Sequence, residues 1–221
     1  MWQIFRHYKG PLYLRYFRAR HSETSEDYEV YRCLYETKVS PRWIRPTEMF
    51  FGAKEDKKRF EPVGTIAIAC PEDLKEVLMF GYDAWGDGMS PEAFIKSYDS
   101  CRNHLTGRRY VLRNEEGRLV AGLNHLRFTN NLSGIASVAT HPKFRKKGYS
   151  SLLMTSVLAL LEDLEGGTRQ ILFSEISPDF YTNFGFETLP ESKQKFLPSQ
   201  AMLRGSATLA DEELIFIQSY F

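Results

Sequence analysis

The chain has 221 residues, 43% of them hydrophobic, and its 29 lysines and arginines nearly balance its 28 acidic residues. This composition is that of an ordinary soluble globular protein with room for one large domain, or for a domain plus a small module. The net charge of +1 argues against bulk electrostatic attraction to nucleic acid or membranes, and we expect neither a membrane span nor a signal peptide. Cys33, Cys70 and Cys101 follow no ligand or disulfide pattern, so we expect reduced thiols in a cytoplasmic protein.

Residues 1–62 are rich in aromatic residues and arginine. Four strand-like runs, 3–8, 12–19, 28–35 and 43–51, are separated by turn residues, which predicts a small all-β module shaped as a curved barrel or meander. Through RHYKG (6–10), ARHSET (19–24), VYRCLY (30–35) and RPTEMFF (45–51), the segment resembles a small bacterial domain family of unknown function. The resemblance implies a domain boundary near residue 62.

The polar residues of this module have two interpretations. They form either a network that ties its loops together or a recognition face for an anionic or peptide ligand. The residues concerned are Arg6, His7, Arg20, His21, Glu23 and Arg45, interleaved with Tyr8, Tyr13, Tyr31 and Trp43.

Residues 63–221 alternate between strand-like and helical patterns. A first strand is predicted over 65–69, and Pro71 and Pro91 each open a helix, separated by the loop GYDAWGDG (81–88). The second of these helices runs to about residue 103, and His104 marks a helix C-terminus. A hairpin over 109–113 and 118–128 leads into a strand at 135, which predicts an antiparallel meander.

The most informative stretch is the strand 135–140, the loop HPKFRKKG (141–148) and the apolar-periodic helix that follows it. The loop is basic and ends in Gly148, where the helix begins. A helix N-terminus presents unpaired N–H groups and a positive dipole, and glycine allows close approach of a phosphate. The stretch therefore predicts a pyrophosphate site, although it lacks both the P-loop spacing and the dinucleotide-binding glycine pattern.

Two motifs carry a resemblance to the GCN5-related N-acetyltransferases (GNAT). Arg145-Lys-Lys-Gly148-Tyr-Ser150 is similar to the family's [QR]xxGx[GA] motif, with serine at the last position, and FYTNFGF (180–186) is similar to its [LF]YxxxGF motif. The resemblance implies an α/β fold of the α+β type. Its sheet is mixed and mostly antiparallel, with splayed central strands and flanking helices.

The resemblance also implies acetyl-CoA as acyl donor and no metal. The pantetheine arm is expected to run between the splayed strands, and the phosphates to lie on the loop and the first helical turn. The residues so implied are Val138, Ala139, Thr140, Arg145, Lys146, Lys147, Gly148, Tyr149, Ser150, Ser151 and Ser174.

Tyr181 is implied as the acid that protonates the leaving thiolate. Glu175 is the first choice of general base, with His125 or a water chain as alternatives. Asp83, Trp85 and Asp87 are candidates for binding a cationic acceptor, and His125 is a further candidate that could face the acceptor. A capped surface loop at residues 83–87 and a structural role for His125 remain open.

These implications predict an N-acetyltransferase that moves an acetyl group directly to a primary amine, of a small molecule or of a protein, in a ternary complex. Two alternatives stay open. One is a non-catalytic acyl-CoA sensor that binds a partner. The other is an N-terminal reader of peptides or nucleic acid, although a nucleic-acid partner is disfavoured by the low charge.

A helix is predicted over 209–221, docking on the body or on a second subunit of a homodimer.

Overall fold

The computed structural model describes residues 1–129, 131–166, 168–205, 208–215 and 217. The chain forms two compact units. The first comprises Met1–Ile68 with Val111–Val120, and the second Ala69–Tyr110 with Ala121–Phe221. In the part of the chain described, none of the helices is both long and apolar enough to cross a bilayer.

The first unit is built on an antiparallel sheet in which the strand order is β7-β1-β2-β3-β4. Its elements are β1 (Trp2–His7), β2 (Leu12–Arg20), β3 (Asp27–Cys33), β4 (Arg42–Pro46), α1 (Thr47–Phe51), the short pair β5 (Ala53–Lys54) and β6 (Lys57–Lys58), and β7 (Phe60–Ile68). The expected meander is thus present. The boundary predicted near residue 62 falls inside β7, which pairs with β1 from His7↔Phe60 to Trp2↔Ile66, so a division at that point remains a proposal.

The strand expected over 43–51 is shorter than predicted. It ends at Pro46, which has no N–H to continue the ladder, and Thr47–Phe51 form a helix with Glu48 in its first turn. This turn of helix directs Phe50 into the core, where its ring stacks on Phe60 at 4.1 Å. Aromatic burial therefore overrides the strand propensity of the segment.

Glu29 on β3 is fully buried and ties this strand to β2 and to the start of α1. It accepts hydrogen bonds from Arg15 Nε at 2.5 Å, Arg18 Nε at 2.9 Å and Thr47 Oγ1 at 3.0 Å. Burial acts to raise the pKa of Glu29, but these hydrogen bonds outweigh it and hold the pKa below its ordinary value.

The second unit combines a mixed sheet with flanking helices, as predicted. Its strand order is β12-β13-β11-β10-β9-β8, and β10 and β11 run parallel. The elements are α2 (Pro71–Leu78), α3 (Tyr82–Trp85), α4 (Pro91–Ser97), α5 (Arg102–Thr106), β8 (Arg108–Asn114), β9 (Leu119–Arg127), β10 (Leu132–Thr140), α6 (Tyr149–Glu165), β11 (Arg169–Ser174), α7 (Asp179–Thr182), β12 (Phe186–Thr188), β13 (Gln200–Arg204) and α8 (Asp211–Ile215). Of β8 and β9, this unit contains the residues up to Tyr110 and from Ala121 onward.

Helix α6 connects the parallel strands β10 and β11, and it buries Leu153, Val157 and Leu161 as its periodicity predicts. The C-terminal segment docks on the same unit, because Leu209 and Ile217 join the core around Ile171. Of the helix expected over 209–221, residues 211–215 are helical, whereas 216 and 218–221 lie outside the described residues.

The Glu29 cluster predicts a pH-dependent stability. Glu29→Gln should lower the free energy of unfolding at pH 7 by about 3 kcal/mol, the low end for a buried pair losing one partner, because Arg18 is half exposed. Since the folded pKa is depressed, the contribution of Glu29 is present above the unfolded value near 4.5 and is lost as the pH falls through the folded pKa.

Urea unfolding at a series of pH values measures this effect. The gap between wild type and Glu29→Gln should close upon acidification. The exposed Glu23 supplies the control, and Glu23→Gln should match wild type throughout. A gap that stays constant down to pH 2 would contradict the proposed role of the carboxylate.

Candidate active site

The predicted anion cradle is formed by Gly148 and the first turn of α6. Gly148 is the N-cap residue with φ 79°, a left-handed conformation that favours glycine, and a Cβ built on it would meet nothing within 4 Å. The first backbone hydrogen bond of this helix runs from Leu152 N to Gly148 O. The N–H groups of Tyr149, Ser150 and Ser151 precede it and point out of the helix end. The cradle therefore has space and donors for a phosphate.

Arg145 does not extend into this cradle. Its guanidinium makes a bidentate ion pair with Asp83, at 2.5 and 2.7 Å, and donates to the carbonyl oxygens of Phe80 at 2.9 Å and Thr140 at 3.2 Å. The hydrogen bonds from Arg145 hold the pKa of Asp83 below its usual range. Arg145 was expected to bind the cofactor and Asp83 the acceptor. In the structure they bind each other and hold the loop against residues 80–83.

The two lysines that follow Arg145 in the loop have their charged groups at the surface. Lys146 is exposed, with φ 63°, and Lys147 Nζ lies 5.5 Å from the centroid of the Phe144 ring. The hydroxyls of Thr140 and Ser150 are hydrogen-bonded to each other, which ties the end of β10 to the first turn of α6. The lysines and backbone donors, rather than Arg145, carry the positive character of the cradle.

The central strands separate as expected. Strands β10 and β11 pair only through Leu132↔Arg169, Ser133↔Gln170 and Gly134↔Ile171. Beyond these three pairs β10 contains a bulge, because its register against β9 shifts by one residue between Ala136 and Ala139, and Ser137 takes a φ of 48°. The edge of β10 that faces β11 is therefore left without ladder partners on β11.

A cavity of about 320 Å³ lies where the strands separate. Its walls come from both strands, from α3, from α7 and from the segment 98–104. The lining residues are Trp85, Tyr98, Cys101, Asn103, His104, Asn124, Ile135, Ala136, Ser137, Val138, Leu172, Phe173, Glu175, Ile176 and Tyr181. Of the predicted site residues, Trp85, Val138, Glu175 and Tyr181 meet here.

Tyr181 is almost fully buried on α7 and lines this cavity. Its ring contacts Phe180 at 4.9 Å and Phe186 at 6.2 Å between centroids. Burial, with a smaller contribution from the charge of Glu175, raises the pKa of Tyr181 to about 12. The phenol is therefore fully protonated at neutral pH and can act as a proton donor.

Glu175 and Trp85 lie next to each other although 90 residues separate them in sequence. The indole Nε1 of Trp85 donates to Oε2 of Glu175 at 2.7 Å. Gly81 makes this arrangement possible, because a Cβ at position 81 would lie 2.1 Å from the Trp85 ring. Of the loop GYDAWGDG, the tryptophan thus enters the cavity, whereas Asp83 binds Arg145 and Asp87 is exposed.

Ser174 and His125, which were also predicted, do not line the cavity. Ser174 Oγ donates to Ile176 O at 2.7 Å. His125 follows Asn124 on β9, and neighbouring residues of a strand point to opposite faces. Because Asn124 faces the cavity, His125 lies on the other side, buried, with Nε2 at 3.7 Å from Glu165 on α6. The expectation that His125 faces the acceptor is corrected accordingly.

Among the lining residues that the sequence did not identify are Tyr98, Cys101, Asn103, His104 and Asn124. His104 lies in the last turn of α5, as the sequence predicts, and Arg109 Nη2 contacts its Nδ1 at 2.7 Å. Burial and the Arg109 charge lower the pKa of His104 to about 4, so this ring is neutral at pH 7. The sequence signal for this part of the cavity is weak. It consists of the adjacent polar residues Asn103 and His104.

Asn124 and Gly107 fit closely together. The Asn124 amide donates to Asn103 O at 3.0 Å. A Cβ on Gly107 would lie 2.4 Å from Asn124 Nδ2, so glycine is required there while Asn124 keeps this position. Among the described residues, no group of three or more His, Cys, Asp or Glu side chains is placed to hold a metal ion.

Comparison with known proteins identifies two segments. Residues 66–189 match a family model described as an acetyltransferase (GNAT) domain, and residues 3–62 match one described as a protein of unknown function (DUF1653). No curated protein sequence matches the chain.

Solved structures of low sequence identity share the fold. The PaiA N-acetyltransferase from Thermoplasma acidophilum, in complex with coenzyme A, is 14% identical with a TM-score of 0.51, over 65% of this chain and 99% of its own. A spermidine N-acetyltransferase SpeG chimera from Vibrio cholerae and hSSAT is 12% identical with a TM-score of 0.51, over 70% of this chain and 99% of its own. Because the acetyltransferase model spans more than half of the chain, the protein belongs to the GNAT family and is an acyltransferase.

Proposed function

We propose that the protein is an acetyl-CoA-dependent N-acetyltransferase that transfers the acetyl group directly to a primary amine. The observation that carries this proposal is the cavity between the diverging strands, with Tyr181 in its wall and the Gly148 cradle at the end of the same strand β10. The structurally similar PaiA enzyme was crystallised with coenzyme A, which supports the same ligand here.

The residues present fit this donor. The pyrophosphate would lie on the N–H groups of residues 149–151, where the missing Cβ of Gly148 leaves space. The pantetheine amides would pair with the free edge of β10 at Val138–Thr140, as an added strand does. When bound, acetyl-CoA supplies the activated acyl group as a thioester.

The protein's own groups supply the remaining functions. The phenol of Tyr181 holds a proton for the departing thiolate, and its raised pKa keeps that proton in place well above neutral pH. Glu175, oriented by the Trp85 indole, receives the proton released by the amine, directly or through water. A backbone N–H near Thr140 polarises the acyl carbonyl. None of the three cysteines lies in either motif, and we propose direct transfer although Cys101 lines the cavity.

A panel of primary amines, amino acids and peptides incubated with acetyl-CoA tests this function. Release of free thiol that depends on the amine, with a product heavier by one acetyl group, is the expected result. Tight CoA binding without transfer to any amine would instead support the non-catalytic sensor. The cytoplasmic location and the homodimer expected from the sequence remain predictions.

The Gly148 cradle leads to a prediction with a matched control. Gly148→Ala should weaken CoA binding at least tenfold, because a Cβ would enter the phosphate space. Gly117, in the β8–β9 turn, has the same φ of 79° and the same open surroundings. Gly117→Ala should therefore cause similar backbone strain, about 1 kcal/mol, with wild-type CoA binding.

Calorimetry and thermal unfolding of both variants check this prediction. Equal CoA affinity in the two variants would show that the phosphates bind elsewhere. Loss of binding in both would point to strain rather than to a local clash.

The role of Tyr181 leads to a second prediction. Tyr181→Phe should preserve stability and CoA affinity, because the ring contacts remain, and turnover should fall about ten- to a thousandfold through loss of the proton donor. Since the pKa of Tyr181 is raised to about 12, the wild-type enzyme should show no loss of activity from this residue up to about pH 10.

Steady-state kinetics across pH, with both substrates saturating, measure this effect. Phe180→Leu is the neighbouring control and should leave the pH profile unchanged. A Tyr181→Phe enzyme with wild-type turnover and weakened CoA binding would show that Tyr181 only packs against the cofactor.

A further inference from the structure

Arg109 is a buried cation next to the proposed active site. Its residue is 9% exposed at the start of β8, and burial lowers the pKa of its guanidinium. Within the described ranges it forms no ion pair with a carboxylate, and its side-chain hydrogen bond goes to His104 Nδ1 at 2.7 Å. A buried guanidinium without a counter-anion is unfavourable, which makes the adjacent cavity wall attractive to an anion.

The contact between Arg109 and His104 determines which ring nitrogen of His104 carries the proton. Guanidinium is only a donor, so Nδ1 of His104 must accept and the ring proton must lie on Nε2. Tyr98 holds the ring from the side, with centroids 4.1 Å apart and planes at 75°. In the part of the chain that the structure describes, His104 Nε2 makes no hydrogen bond. His104 therefore presents a fixed N–H donor at the cavity wall and cannot serve as a base.

The other groups in the cavity limit what the acceptor can be. Among its described lining residues Glu175 is the single carboxylate, and the rest are aromatic, aliphatic or neutral polar. A polyamine carries several ammonium groups and would need several acidic partners. One acid and one histidine donor backed by a buried arginine instead suit a molecule with one amine and one anionic oxygen.

We propose that the acceptor is a primary amine that also carries a carboxylate, such as an amino acid, and that His104 selects it. In this arrangement His104 Nε2–H donates to the acceptor carboxylate, and Arg109 is the positioning residue that fixes the tautomer and supplies the positive potential. The acceptor amine faces Glu175. This inference rests on the proposed acetyltransferase function and names its substrate class.

Matched acceptors provide the test. The full-length enzyme is assayed with amino acids, with their primary amides and with the decarboxylated amines. We expect wild type to prefer the carboxylates. His104→Phe should lower kcat/KM for the carboxylates about ten- to a hundredfold more than for the decarboxylated amines, the effect of a hydrogen bond to a charged group. His104→Gln, whose amide can donate from a similar position, should retain most of the preference.

A second measurement reads the tautomer directly. Nitrogen-15 NMR of the five histidines, assigned with His104→Gln, should show His104 neutral at pH 6 with its proton on Nε2. Adding an amino acid to the CoA complex should shift the Nε2 signal, whereas the decarboxylated amine should not. Arg109→Lys should perturb the tautomer and raise KM more than it lowers kcat.

The outcomes separate this inference from the proposed function. Acetylation of amines without preference for a carboxylate, or equal losses for all acceptors in His104→Phe, would overturn the inference and leave the function standing. An Nδ1-protonated His104 would also overturn it. Binding of amino acids with the predicted shift, but no acetyl transfer, would refute the function and retain the binding site.

Discussion

The loss of pairing between β10 and β11 after Gly134↔Ile171 is the constraint on which the site depends. Two parallel strands that stay paired leave no room between them. Here a bulge at Ser137 turns β10 away, and the gap becomes a cavity walled by both strands. The same divergence positions the groups that follow each strand, because β10 leads through the loop to the Gly148 cradle and β11 leads to Glu175 and α7. Strand geometry thus sets the distance between the proposed phosphate site and the proposed proton donor.

Arginine performs three different tasks in this protein, according to its partner. Arg15 and Arg18 converge on the buried Glu29, where the carboxylate compensates their charge and organises strands. Arg145 is neutralised by Asp83 and holds a loop in place, so its position in the motif serves geometry more than phosphate attraction. Arg109 has a neutral histidine as partner, so its charge remains available to influence the neighbouring cavity. The partner, rather than the residue type, decides the function.

The sequence predicted those features that depend on local order. Each of these features lies within one continuous segment, so its position could be predicted. They are Gly148, the basic loop, the periodicity of α6 and Tyr181. The features that were missed depend on distant pairings. The Arg145–Asp83 pair spans 62 residues, and the face on which His125 lies depends on how β9 is oriented in the sheet. His104 enters the cavity because the chain over 91–106 breaks into short helices instead of one, which its pattern did not indicate. Likewise, the burial of Phe50 replaced the end of a predicted strand by a turn of helix.

The close fit between Gly107 and Asn124 has a consequence for how this cavity can vary among relatives. The amide of Asn124 occupies the space that any side chain at position 107 would need, so the two positions cannot change independently. A relative with a larger residue at position 107 must carry a smaller or reoriented one at position 124 and must also move the Asn103 carbonyl oxygen, which lies 2.7 Å from the same Cβ position. Both changes remove the hydrogen bond between Asn124 and Asn103 and reshape the wall beside His104. Acceptor preference in this lineage is therefore expected to change through paired substitutions, with each single replacement passing through a strained intermediate.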